Sequence, residues 1–154
     1  KAAEQGYVGA QYNLGVKYAN GTGVPQNDKT AIMWYTKAAE QGYANAQYNL
    51  GVGYHYGTGV PESYETAVMW YTKAAEQGFA KAQFNLGVMY ANGLSVLQDN
   101  VLAHMWFNLG AANGDEDAGK NRDLITQEMT SSAIEKAKAM ARKCMNSDYQ
   151  DCGY

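Results

Sequence analysis

Apolar residues along this chain fall four apart in short runs, and the runs restart every 36 residues. Between Ala44 and Tyr56, Ala46, Leu50 and Tyr54 share one helical face, so a helix is expected there. Gly57-Thr58-Gly59-Val60-Pro61 then breaks the pattern: Gly57 suits the left-handed position after a helix, and Pro61 cannot continue one. A second helix is expected over 64–77, burying Ala67, Trp70, Tyr71 and Ala74, with Gly78 as its stop. Ser63 is its expected N-cap, and Asn27 and Asp99 hold the same place in the other copies. All three offer an oxygen to the first free N–H groups, worth about 1 kcal/mol each.

The recurrence is close. Residues 1–36 and 37–72 are identical at 26 of 36 positions, and Trp34, Trp70 and Trp106 keep the same step. A fixed period of this length predicts stacked supersecondary units whose core runs on from one to the next. Gly15, Gly51 and Gly87 fall in mid-helix, where glycine costs about 1 kcal/mol against alanine. They are expected where helices touch, with a neighbour's backbone in the place of a side chain. Trp34, Tyr18 and Leu14 with their copies read as core rather than as a sugar or cofactor platform.

Composition narrows the function. Net charge is −3 with no Lys/Arg run, which argues against a nucleic-acid partner. No apolar stretch approaches the ~18 residues of a membrane span. Cys144 and Cys152 are the two cysteines, and their C-x7-C spacing fits no common zinc pattern. A disulfide from the last helix to the tail would place the protein outside the reducing cytosol. Two free thiols in a cytosolic protein are the alternative.

Candidate chemistry is sparse, so no catalytic residue, cofactor or metal site is assigned. His55 and His104 lie 49 residues apart without a third ligand, and read as ordinary helix residues. Neither Ser-x-x-Lys nor Gly-x-Ser-x-Gly occurs. Asn20-Gly21-Thr22-Gly23 lacks the spacing and the Lys-Ser/Thr of a phosphate loop, and reads as helix stop and turn. Asp115-Glu116-Asp117 is expected to favour a helix N-terminus through the dipole.

The elements Ala-Gln-Tyr-Asn-Leu-Gly-Val-x-Tyr, Gly-Thr-Gly-Val-Pro and Ala-x-Met-Trp-Tyr-Thr-Lys-Ala-Ala-Glu-Gln-Gly together resemble the Sel1-like repeat, a relative of the tetratricopeptide repeat, over residues 1 to about 114. The resemblance implies an all-α fold: a right-handed α/α superhelical solenoid of stacked helix pairs, the first helix of each pair lining the concave side. It also implies an adaptor or scaffold, often in bacterial envelope, secretion or host-contact systems. Some cysteine-rich members place disulfides at an eight-residue step, the step of Cys144 and Cys152.

The boundaries expected on this basis are residues 1–6, the end of an upstream repeat; three repeats at 7–42, 43–78 and 79–114; and 115–154, a degenerate repeat with a C-terminal capping helix and a cysteine-containing tail. The chain opens inside the unit that elsewhere ends a helix, as expected of a piece of a longer protein. Gly-Leu-Ser-Val-Leu at 93–97 replaces Gly-Thr-Gly-Val-Pro and is expected to change the loop's shape. Arg122 and Thr126 stand where leucine and tyrosine were, the polar turn expected of a terminal cap. Thr130 or Ser132 is expected to cap the last helix.

With the core direction set by Ala10, Leu14 and Tyr18, residues Tyr12, Asn13, Val16 and Asn20 point away from it. Tyr48, Asn49, Val52 and Tyr56 repeat the set, followed by Phe84, Asn85, Val88 and Asn92. These are the candidate partner-binding residues. Asparagine offers donor and acceptor together to a peptide backbone, and aromatic rows supply anchor area. Internal bonds within each repeat are the competing reading of the same rows. Differences between the first two copies fall at 8–9, 17, 19–20, 26–29 and 32, where partner specificity can be tuned. The expected function is non-enzymatic binding of a protein or peptide. The rivals are a structural spacer in an envelope assembly and a weak hydrolase acting in the groove. End-to-end self-association through an uncapped N-terminal end is also expected.

Overall fold

In a computed structural model, residues 2–153 are described and fold as helices alone. Eight helices run in order among them: α1 Val8–Asn20, α2 Asp28–Glu40, α3 Ala44–Tyr56, α4 Tyr64–Ala75, α5 Ala80–Asn92, α6 Asn100–Ala112, α7 Glu116–Thr126 and α8 Ser131–Asn146. The fold is an α/α solenoid of helix pairs. The chain divides into two compact units after Trp70, within α4.

In the first unit α2 packs on both α1 and α3. Its core gathers Ala31, Tyr35, Ala38 and Ala39 of α2 with Ala46 and Leu50 of α3. Small residues let the axes approach, and the aromatic residues fill what is left. Asn27 and Ser63 cap their helices as expected, accepting from the Thr30 and Thr66 amides at 2.9 and 3.2 Å. Gly21 and Gly57 close α1 and α3 in the left-handed conformation, at φ 68° and 67°.

The second unit repeats this plan and adds a cap. α6 packs on α5, α7 and α8, and Asp99 caps it by accepting from the Val101 and Leu102 amides. Its residues are buried on all sides, Met105 and Trp106 completely, whereas Met33 and Met69 at the position of Met105 are 44% and 46% exposed. α8 accounts for the difference, burying its own Ala137, Ala141 and Cys144. Thr130 rather than Ser132 caps α8, accepting from Ala133 N–H at 3.2 Å. Asp115 caps α7, with Glu116 and Asp117 in its first turn. Arg122 turns its guanidinium to Asp123 and Asn108, while the Thr126 hydroxyl donates to the Arg122 carbonyl. Cys144 and Cys152 form a disulfide, and beside it the Tyr149 hydroxyl exchanges hydrogen bonds with the Asn113 amide at 2.8 and 3.1 Å.

Two expectations need correction. The 93–97 loop keeps the path of its counterparts: Leu94 N–H reaches Met89 O and Asp99 N–H reaches Tyr90 O, as Thr22 reaches Lys17 and Asn27 reaches Tyr18. Ser95 adopts φ 55° where Gly23 and Gly59 adopt 74° and 78°, so the loop's hydrogen bonds outweigh the side chain's preference. Gly15 and Gly87 meet ring side chains first, and at Gly15 the Ala31 carbonyl of the neighbouring helix lies behind the ring contact, 3.3 Å from a Cβ. A Cβ on Gly15 would lie 2.6 Å from the Tyr35 ring, and one on Gly87 would enter the Phe107 ring.

One repeated contact was not read from the pattern. Gln11, Gln47 and Gln83 are buried, and each side-chain amide donates to the carbonyl of Ala3, Ala39 or Ala75 respectively. At the C-terminal ends of α2 and α4 the Ala39 and Ala75 carbonyls also accept from the Gly42 and Gly78 amides, so Gln47 and Gln83 add a second bond to each.

Candidate functional site

The glycine–ring contacts shape a groove in the first unit. Because Gly15 has no side chain, the Tyr35 ring of α2 closes on α1. Gly53 of α3 likewise leaves room for the Ile32 side chain. Between them opens a groove of 370 Å³ whose apolar lining includes Val16, Ile32 and Val52. Tyr12 stands at one side, its ring 5.9 Å from Tyr35 and 5.2 Å from Tyr43. The Asn49 amide lies beside the Tyr35 hydroxyl. Burial raises the Tyr35 phenol above its ordinary value and Tyr12 adds to this, while the Asn49 amide opposes both. Asp28, in the first turn of α2, brings a half-buried carboxylate to the lining.

The second unit builds the same groove 72 residues on, with a volume of 460 Å³. Val16, Ala19 and Asn20 recur as Val88, Ala91 and Asn92. Asn49 and Val52 recur as Asn121 and Leu124. The register is therefore a property of the repeat. Three substitutions give the second groove its own character: Asn100 for Asp28, Phe107 for Tyr35 and Ile125 for Gly53. Its carboxylate is Glu128, just after α7.

The residues expected to bind a partner separate into groups. Tyr12, Val16, Asn20, Asn49 and Val52 line the first groove, and Val88 and Asn92 line the second. Phe84 packs on Phe107 instead, ring centroids 6.0 Å apart. Tyr56 is 69% exposed and stacks on His55. Asn13 is exposed beside Ala10, Leu14 and Lys17, away from the groove. Tyr48 and Asn85 are half-buried and line neither groove. The asparagine row does not act as one. Asn49 faces the Tyr35 hydroxyl in the groove, whereas Asn92 donates to Val88 O of its own helix at 2.8 Å.

The first-helix rows also omit half of the site. Ile32, Tyr35 and Asp28 come from the second helix of the pair, and Thr58 from the loop. Their signal in the sequence is the pairing of a mid-helix glycine with an aromatic residue 20 positions later: Gly15 with Tyr35, and Gly87 with Phe107.

No cluster of three or more His, Cys, Asp or Glu side chains able to hold a metal is present among the described residues. His55 packs against the Tyr56 and Tyr64 rings, and burial lowers its pKa against the pull of Glu62. His104 is buried, lowered first by burial and then by Arg122 and Lys138. No described helix is long and apolar enough to cross a membrane.

The Sel1 repeat matches this chain three times, over residues 8–43, 44–79 and 80–115. Among solved structures, a Sel1 repeat protein from Oxalobacter formigenes is 32% identical, with a TM-score of 0.78, over 93% of this chain and 64% of that one. The c5321 protein, a protective antigen present in uropathogenic Escherichia coli strains and displaying an SLR fold, is 30% identical with a TM-score of 0.66. The match covers 98% of this chain and 40% of the antigen. The chain thus spans less than two thirds of either relative. No curated protein matches it.

Proposed function

The chain belongs to the Sel1 repeat family, and on that basis we propose that it is a non-enzymatic adaptor that holds an extended segment of a protein partner in its grooves. Sel1 repeat proteins are generally protein-interaction scaffolds. The observation that carries the finer reading is the recurrence of one groove in one register. In both units valine, alanine and asparagine of a first helix face asparagine and an aliphatic residue of the next. An extended chain advances about 3.3 Å per residue and presents alternate side chains to one surface. Half-buried asparagines beside an apolar floor suit that pattern, the amides for its backbone and the floor for its side chains.

The Cys144–Cys152 disulfide supports an extracytoplasmic setting, in a bacterial envelope, secretion or host-contact system. The test is capture from envelope extract and host fluid on the immobilised parent chain and on an Asn49→Ala/Val52→Glu copy. A protein kept by the parent and lost by the variant, with helicity unchanged, is the expected result. Equal capture by both would move the site elsewhere and favour the spacer.

A further inference from the structure

We propose that the partner segment carries lysine or arginine beside apolar residues, and that Asp28 and Glu128 are the residues that read it. This rests on the grooves being the peptide sites. Among the described residues each groove is lined by a single charged side chain, and in each it is a carboxylate: Asp28 in the first, Glu128 in the second. The two are not repeat equivalents. Asp28 opens α2, its counterpart in the second groove is the neutral Asn100, and Glu128 follows α7. The same charge thus reaches the same kind of groove from two unrelated positions, while none of the described lysines and arginines is in either lining.

Neither carboxylate is engaged. Among the described residues neither side chain makes an ion pair or accepts a hydrogen bond. The surroundings suit a long cationic side chain. Its methylene stem would lie on Val16, Ile32 and Val52, as lysine and arginine stems do on apolar surface. Its head would reach Asp28 past the Tyr12 and Tyr35 rings, whose faces attract cations. Asp28 also falls within 26–29, where the first two copies differ, so this contact can change without disturbing the stack.

The test uses random peptides displayed on phage, selected in parallel on the parent chain and on Asp28→Asn/Glu128→Gln. One selected peptide is then measured by fluorescence anisotropy, with lysine and with norleucine in its place, at low and high salt. Basic residues should be enriched on the parent and not on the variant. On the parent the norleucine peptide should bind about two- to fivefold more weakly than the lysine peptide, and the gap should close at high salt and on Asp28→Asn/Glu128→Gln. Selected peptides that depend on Val52 but show the same basic content on parent and variant would overturn the charge reading and leave the groove standing. If no selected peptide loses affinity to Val52→Glu, the groove reading falls, and this one with it.

Discussion

The Gln83 side-chain amide donates to the Ala75 carbonyl at 3.0 Å, and its oxygen accepts from Asn113 at 2.9 Å. Both of its polar ends are thus used in a fully buried position. Gln83→Leu keeps the volume but removes both bonds, leaving the Ala75 carbonyl with the Gly78 amide alone. The expected loss is about 0.5–1.5 kcal/mol, read as a lower urea midpoint with an unchanged slope.

At Gly87 helix propensity and packing oppose each other. Alanine would gain about 1 kcal/mol as a helix former, but its methyl would enter the Phe107 ring, and overpacking costs about 1–3 kcal/mol. Gly87→Ala is therefore expected to destabilise. Adding Phe107→Leu should recover part of the loss. Additive losses in the denaturation cycle would contradict the contact.

These positions mark how far the sequence is legible. The caps Asn27, Ser63 and Asp99 are local, since an oxygen three residues ahead of a free N–H is visible in the string. The groove is not local. Tyr35 reaches it only because Gly15 lets α2 close on α1, a contact that separate helical faces do not show. The polar turn at Arg122 and Thr126 was legible from the loss of apolar residues. The partners of Arg122, Asp123 and Asn108, were not, because they depend on how α7 lies on α6.

Ser95 holds a left-handed backbone at φ 55° that its repeats give to glycine. Ser95→Gly removes the side chain's conflict with that backbone but adds freedom to the unfolded chain. A net gain of about 0.5–1 kcal/mol is expected. A loss would mean that the serine side chain contributes to the loop.

Acid should weaken the second unit through His104. Burial, then Arg122 and Lys138, depress its imidazole below the ordinary 6.5, against Asp123. The unfolded chain then takes a proton that the folded chain refuses. Stability is fully present above the unfolded value and falls as pH drops through it toward the folded one. His55 is lowered as well and contributes with the same sign. His104→Gln should flatten, without abolishing, the fall in urea midpoint on acidification. An unchanged slope would show that His104 does not carry this linkage.

The most direct test of the account is where a bound peptide perturbs the backbone amide spectrum of this chain. Shifts centred on Val16, Asn49 and Val52 in the first unit, and on Val88 and Asn121 in the second, are the predicted result. Shifts confined to the exposed Met33 and Met69 helix faces, with the grooves silent, would contradict it.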